Sequence, residues 1–229
     1  MESDKDVLKR QAAEAAAALV CPGMAVGLGT GSTAAHLVAV LIRRWREEGL
    51  RFVAVPTSER TAAQAAAGGL ALTDLAAHPA LDLTIDGADQ IELRTLNLIK
   101  GMGGALLREK IVAAASDALV IIADDGKLAD RLCLPVPVEV VRFGWQATDR
   151  RIRALGAATA LRRGPDGGPY ITDGGDLILD ADFGAMADPG ATDRALRDIV
   201  GVIESGLFIG RARQVFLAGA DGVRHLERP

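Results

Sequence analysis

The stretch at residues 96–115, LNLIKGMGGALLREKIVAAA, decides how the chain reads. Residues 96–99 form a short apolar strand, and Lys100 stands at its end. Gly101, Gly103 and Gly104 let the backbone turn tightly and come close to a ligand. A helix then starts at Ala105, with Arg108, Glu109 and Lys110 in its first turns. A helix N-terminus offers unpaired N–H groups and partial positive charge, so it suits an anion. A carboxylate one turn in, Glu109, points at the same place. Taken alone, these charges fit a solvated helix surface better than a site. The neighbouring segments change that.

Outward from this stretch, strands and helices alternate. Residues 7–20 read as an alanine-rich helix broken by Cys21-Pro22-Gly23, and 24–28 as a buried strand. A helix at 34–47, a strand at 52–55 and a helix at 59–67 follow, the last stopped by Gly68-Gly69. Residues 70–72, 81–85 and 119–123 read as further strands, the latter two running into Asp86-Gly87 and Asp124-Asp125-Gly126-Lys127. This alternation predicts an α/β fold with a mainly parallel, Rossmann-like sheet and helices on both faces. Such sheets bind ligands at the C-terminal ends of their strands.

The pattern changes after about residue 134. A strand at 135–141, a helix at 146–155, hairpin strands at 157–161 and 170–172, a strand at 177–180 and a helix at 191–199 suggest a smaller α+β lobe. Strands at 215–218 and 223–226 return to the first domain. The expected organisation is therefore 1–134 with 207–229 as the Rossmann-like domain, and 135–206 as the small domain.

Composition narrows the class. With 229 residues and 49% hydrophobic content the chain can bury a core and is not disordered. A formal charge of −4 argues against a nucleic-acid or membrane-surface partner. The opening MESDKDVLKR has no apolar core of a signal peptide, and no run approaches the roughly 20 apolar residues of a membrane span. A cytoplasmic protein is expected. Cys21 and Cys133 read as small buried apolar residues in a reducing compartment. His36, His78 and His225 are scattered, so no metal site is expected. Lysine is scarce: Lys5, Lys9, Lys100, Lys110 and Lys127 stand against an arginine-rich background.

Three further motifs carry chemistry. Residues 27–33, GLGTGST, lie between a strand and a helix. Their N–H groups and the hydroxyls of Thr30, Ser32 and Thr33 would suit a phosphate monoester, though a capped glycine turn explains them equally well. The segment is neither a Walker A loop nor GxGxxG, because Ser32 occupies the third glycine position. Thr57-Ser58 repeats the theme more weakly. Asp86-Gly87-Ala88-Asp89 puts two carboxylates after a strand, where Asp-Gly is also a common turn. Lys127 follows the next strand. Three carboxylates, two lysines and two phosphate-suited loops fit proton transfer on a phosphorylated sugar, which needs no cofactor.

Taken in order, GLGTGST, Thr57-Ser58-Glu59, DGAD (86–89), KGMGGALLREK (100–110), IADDGK (122–127), LPVPVEVV (134–141), TDGGDLILD (172–180) and SGLF (205–208) resemble the type A ribose-5-phosphate isomerases from residue 7 to about 224. The resemblance implies a two-lobed, cofactor-free aldose–ketose isomerase interconverting ribose 5-phosphate and ribulose 5-phosphate through an enediolate. It implies that Glu109 is the general base and that Asp86 assists ring opening or handles the hydroxyl proton. Asp89 and Lys100 would hold the reacting oxygens. Thr30, Gly31, Ser32, Thr33, Gly101, Gly103 and Lys127 would contact sugar and phosphate. A homodimer, or a dimer of dimers, is the usual assembly. The chain departs from the family pattern at Gln90 (for the last acid of DGADE), Met102 (within KGGG), Leu107 (for the threonine of TREK) and Gly126 (for the serine before the late lysine). Met102, which would narrow the pocket, favours one alternative: an enzyme on the same scaffold acting on another sugar phosphate, such as a tetrose or a different pentose. A sugar-phosphate sensor is the other alternative, but no basic recognition helix is visible.

Overall fold

The computed structural model describes residues 3–228. Met1, Glu2 and Pro229, which sequence alone assigns to the first domain, lie outside the described residues. The chain runs α1 (Asp4–Ala17), β1 (Ala25–Leu28), α2 (Ser32–Glu47), β2 (Val53–Pro56), α3 (Glu59–Gly68), β3 (Ala71–Leu72), β4 (Leu83–Gly87), β5 (Gln90–Glu92), β6 (Leu98–Ile99), α4 (Leu106–Ala114) and β7 (Leu119–Asp124). It continues through β8 (Leu128–Ala129), β9 (Val136–Val140), α5 (Trp145–Ala154), β10 (Ala158–Leu161), β11 (Leu177–Asp182), α6 (Pro189–Arg197), β12 (Val202–Ser205), β13 (Leu207–Phe208), β14 (Ala212–Gly219) and β15 (Gly222–Glu227).

Two compact units result. The first holds the residues up to Ala88, Arg108–Lys127 and the residues from Arg211. Its seven-stranded sheet has the order β15-β14-β7-β4-β1-β2-β3, parallel except for β15. Strand alternation divides its two faces. Val26, Leu28, Leu83 and Ile85 point to one side, where Ala12 and Ala16 of α1, Leu37 and Leu41 of α2 and Ala65 of α3 complete a core. Ala25 points to the other side, against Val112 of α4. Helices therefore cover both faces, and this architecture agrees with the sequence.

The second unit holds Asp89–Leu107 and Leu128–Gly210. It contains an antiparallel sheet β10-β11-β9-β12 and a smaller one, β13-β6-β5-β8. Its core is built from Val136, Val138 and Val140 of β9, Leu177, Leu179 and Ala181 of β11, Ile152 of α5 and Leu196 of α6. Asp89–Leu107, which sequence alone places in the first domain, clusters here because β6 pairs with β13 and β5 with β8.

Several elements differ from the sequence pattern. Residues 170–172 are not a hairpin partner of β10. β10 pairs with β11 instead (Ala160 opposite Asp180), and only isolated bridges join Arg163 to Pro169 and Ile171 to Leu177. The expected strand at 96–99 shrinks to two residues, because Leu96 takes φ +53 to close the turn after β5. α1 starts early because the Ser3 hydroxyl accepts from the Asp6 N–H, and α6 because Asp188 accepts from the Ala191 N–H with Pro189 in its first turn. Cys21 and Cys133 are exposed, against the expectation of burial. Each falls on an irregular segment rather than on the inward face of an element.

Candidate active site

The four segments that sequence singles out in the first unit all leave C-terminal strand ends of one parallel sheet. β1 runs into Gly29–Ser32, β2 into Thr57-Ser58, β4 ends on Asp86-Gly87, and β7 runs into a single 3-10 turn, Asp125–Lys127. Side-by-side register makes this inevitable: Leu28 lies opposite both Pro56 and Ile85, and Gly87 opposite Ile122.

Asp86 is fully buried. Its Oδ1 accepts from the Thr30 N–H at 3.0 Å and the Gly87 N–H at 2.7 Å. Gly29 makes this possible. A Cβ at Gly29 would run into the Asp86 carboxylate and come within 2.6 Å of the Asp86 Cα. A Cβ at Gly27 would likewise sit 2.6 Å from Val112 Cγ1. Both glycines therefore serve the packing of β1 against its neighbours, rather than close approach of a ligand. Gly31 is different. It takes φ +116 with open space around it, at the N-terminus of α2, where no side chain caps the helix. Ser32 is exposed there and Thr33 is half-buried.

Thr30 turns inward. Its hydroxyl lies 2.7 Å from that of Thr57, 2.8 Å from that of Ser58 and 3.3 Å from that of Thr61. Thr57 also donates to the Leu28 carbonyl, and Thr61 to that of Gly29. This buried hydroxyl knot ties the turns after β1 and β2 together. Thr61, a member of it, gave no signal in sequence beyond lying one helical turn from Ser58. Beside the knot, Gly31, Ser32, Ala35, Arg60, Thr61 and Gln64 line a cavity of about 220 Å³.

On α4, Arg108 pairs with Glu59 at 2.8 Å, while Glu109 and Lys110 are each only 3% exposed. This overturns the reading of the segment as solvated surface. Glu109 lies one turn before Val112, so both face the sheet. Thr84 and Asp86 occupy the same face of β4, since Leu83 and Ile85 belong to the opposite core. The α4 side of the sheet thus carries two buried carboxylates, Asp86 and Glu109. Lys127 is half-buried in the turn after β7.

The second unit carries the lysine loop. Lys100 is 2% exposed, its N–H donates to the Gly206 carbonyl at 2.9 Å, and its ammonium lies 5.4 Å from the centre of the Phe208 ring. Gly101 at φ +101 and Gly104 at φ +84 make the turn, closed by the Gly104 N–H on the Gly101 carbonyl. Gly103 and Met102 are exposed. Asp89 accepts from the Met102 N–H at 2.9 Å. Gln90 is turned to another task. Its carbonyl oxygen accepts from the N–H groups of Cys133 and Leu134, so the departure there supports backbone. Glu139 of β9, unremarked in sequence, is buried, accepts from Thr172 Oγ1 at 2.7 Å and bonds the Leu107 N–H at the start of α4. Burial pushes its carboxyl above the usual range, against the pull of those bonds. Among the described residues no helix is long and apolar enough to cross a membrane.

Residues 53–222 match the family described as ribose 5-phosphate isomerase A (phosphoriboisomerase A). The chain is 54% identical over 225 residues to ribose-5-phosphate isomerase A of Synechococcus sp. (strain JA-3-3Ab), covering 97% of this chain and 98% of that protein. It is 55% identical to the same enzyme of Gloeobacter violaceus, with 97% of each chain covered. A solved D-ribose-5-phosphate isomerase in complex with phospho-erythronic acid superposes with a TM-score of 0.95 at 36% identity, over 99% of this chain and all of that one (100% of that chain). The enzyme of Methanocaldococcus jannaschii gives 0.93, also at 36% identity, over 97% of this chain and 99% of that one. Buried carboxylates at the strand ends, the glycine–lysine loop and these similarities along nearly the whole length agree, and the chain belongs to the ribose 5-phosphate isomerase A family.

Proposed function

We propose that the chain interconverts D-ribose 5-phosphate and D-ribulose 5-phosphate, with Glu109 as the base that moves a proton between C2 and C1. The observation that carries this reading is the pair of buried carboxylates, Asp86 and Glu109, on one face of the sheet at its C-terminal edge. Glu109 takes the proton from C2 of the open-chain aldose as the C1 carbonyl oxygen accepts the electron pair. The enediolate then takes the proton back at C1, while the C2 oxygen loses its own and becomes the ketone. The step is redox-neutral and needs no cofactor. Asp86 serves ring opening and the hydroxyl proton, and Asp89 and Lys100 hold the reacting oxygens. Gly31, Ser32 and Thr33, with Gly101, Gly103 and Lys127, contact sugar and phosphate. The Thr30 hydroxyl belongs to the buried knot and its N–H to Asp86, so its part is to anchor the turn that presents Gly31, Ser32 and Thr33. A phosphorylated aldonate carries a carboxylate where the enediolate carries its charged oxygens, beside the same phosphate, and is expected to compete with substrate. The working form is a cytoplasmic homodimer or dimer of dimers, checked by light scattering.

The test is turnover of ribose 5-phosphate by the purified protein beside Glu109→Gln. Loss of a positioned general base lowers kcat by about 10²–10⁴-fold while KM changes little. Normal turnover by the variant sinks the role of Glu109. Turnover of another phosphorylated aldose, and not of ribose 5-phosphate, moves the substrate assignment, with the exposed Met102 (44%) as the first residue to exchange.

A further inference from the structure

Glycine-rich loops do not hold their own shape, because glycine has more backbone freedom to lose than any other residue. The loop after Lys100 is Gly-Met-Gly-Gly, so something must fix it if the lysine is to act from one position. Within the second unit, a guanidinium holds its carbonyl side, as the Asp89 carboxylate holds the Met102 N–H. Arg162 continues β10 past its last residue, with its N–H on the Ile178 carbonyl at 2.9 Å. Its side chain is only 12% exposed. One edge of the guanidinium grips Asp180 of β11, through Nε at 3.0 Å and through Nη2. Its remaining nitrogen, Nη1, donates to the Gly101 carbonyl at 2.7 Å and reaches that of Met102 at 3.2 Å.

We infer that Arg162, oriented by Asp180, is a positioning residue for Lys100. It fixes the two carbonyls that follow the lysine, while Asp89 fixes the Met102 N–H between them. The fork is specific to arginine. It takes a carboxylate along one edge and has donors left for the loop, whereas a lysine ammonium is a point donor that cannot span both. Tyr170 adds a steric wall: a Cβ at Gly104 would collide with its phenol ring. The inference rests on the proposed role of Lys100 in the reaction, and it adds a residue that does not touch substrate.

The experiment compares Lys100→Ala, Arg162→Ala, Arg162→Lys and Asp180→Asn in the full chain, measuring kcat, KM and melting temperature for each. Loosening a site by about an ångström costs up to roughly 100-fold in rate, so Arg162→Ala is expected to lose about 10- to 100-fold in kcat with KM within about threefold. Arg162→Lys should recover little of this, and Asp180→Asn should fall between. Added guanidinium at millimolar concentration, far below denaturing levels, should restore part of kcat to Arg162→Ala and none to Lys100→Ala. A role confined to stability would lower the melting temperature without such rescue. Wild-type kcat in Arg162→Lys, or in Arg162→Ala, overturns the inference while leaving Lys100 in place. Wild-type kcat in Lys100→Ala overturns the role of the lysine and the inference with it. Should Arg162→Ala fail to fold, Arg162→Lys and Asp180→Asn decide the matter by their kcat.

Discussion

Gly29→Ala puts the packing account of the GLGTGST turn at risk. The added methyl group would be driven into the Asp86 carboxylate and to 2.6 Å from the Asp86 Cα. A flexible side chain could swing away, but the Cα belongs to the central strand β4, so β1 and β4 must separate or the turn must deform. Overpacking of this kind costs about 1–3 kcal/mol. If the Thr30 N–H loses its 3.0 Å bond to the buried carboxylate, a charge-assisted bond worth about 1.5–3 kcal/mol goes too. Together these give about 3 kcal/mol or more. For a chain of this size each kcal/mol moves the melting temperature by about 2–4 °C, so a fall of about 6–12 °C is expected. Gly31→Ala is the comparison. It meets open space and bears only the backbone strain of φ +116 and ψ 177, about 1–3 kcal/mol. Thermal melts and urea titrations of both variants, with kcat for each, make the test. A Gly29→Ala protein that melts within about 1 °C of wild type would refute the claim that this glycine exists to admit Asp86.

Other perturbations follow from the same geometry. Thr30→Val removes the shared centre of the hydroxyl knot and should destabilise by about 1–3 kcal/mol, read from urea unfolding; no change would mean that Thr57, Ser58 and Thr61 hold the turns without it. Glu139 has its folded pKa raised by burial, so the native state binds a proton more tightly than the unfolded chain. Its contribution is fully present below the ordinary value near 4.5 and is lost as pH rises through the raised folded value. Glu139→Gln should therefore gain stability relative to wild type as pH climbs above 4.5, and a constant difference across that range would contradict the assignment. Lys127→Ala should raise KM for ribose 5-phosphate more than it lowers kcat; the reverse pattern would remove Lys127 from substrate binding. Both cysteines should react with an Ellman-type reagent in the native protein, since each is exposed, and a slow or partial reaction would speak against that exposure.

Local chemistry was legible in the sequence wherever it repeats along the chain. Apolar strands alternating with helices, a glycine pair that ends α3 and acidic or hydroxyl groups directly after strands all follow from short-range periodicity and turn preference. In a parallel sheet those strand ends share one edge, so the grouping of Thr30, Thr57, Asp86 and Lys127 was implied by the fold class alone. What each group does there depended on the third dimension. Gly27 and Gly29 resemble a ligand turn in sequence, yet they admit a neighbouring strand, a fact set by residues 57 and more positions away. Taken alone, Glu109 and Lys110 read as charged helix surface, because periodicity cannot say that α4 lies against a sheet face; only the neighbouring motifs pointed Glu109 to a site. Residues 170–172 had the composition of a strand, but β10 had a longer partner in β11. Arg162 was one arginine among many until the turn after Lys100 came within 2.7 Å of it, sixty-one positions away in the chain. Sequence determines what neighbours along the backbone can do; burial, register and hydrogen bonds between distant segments are decided only when the chain closes on itself and excludes water.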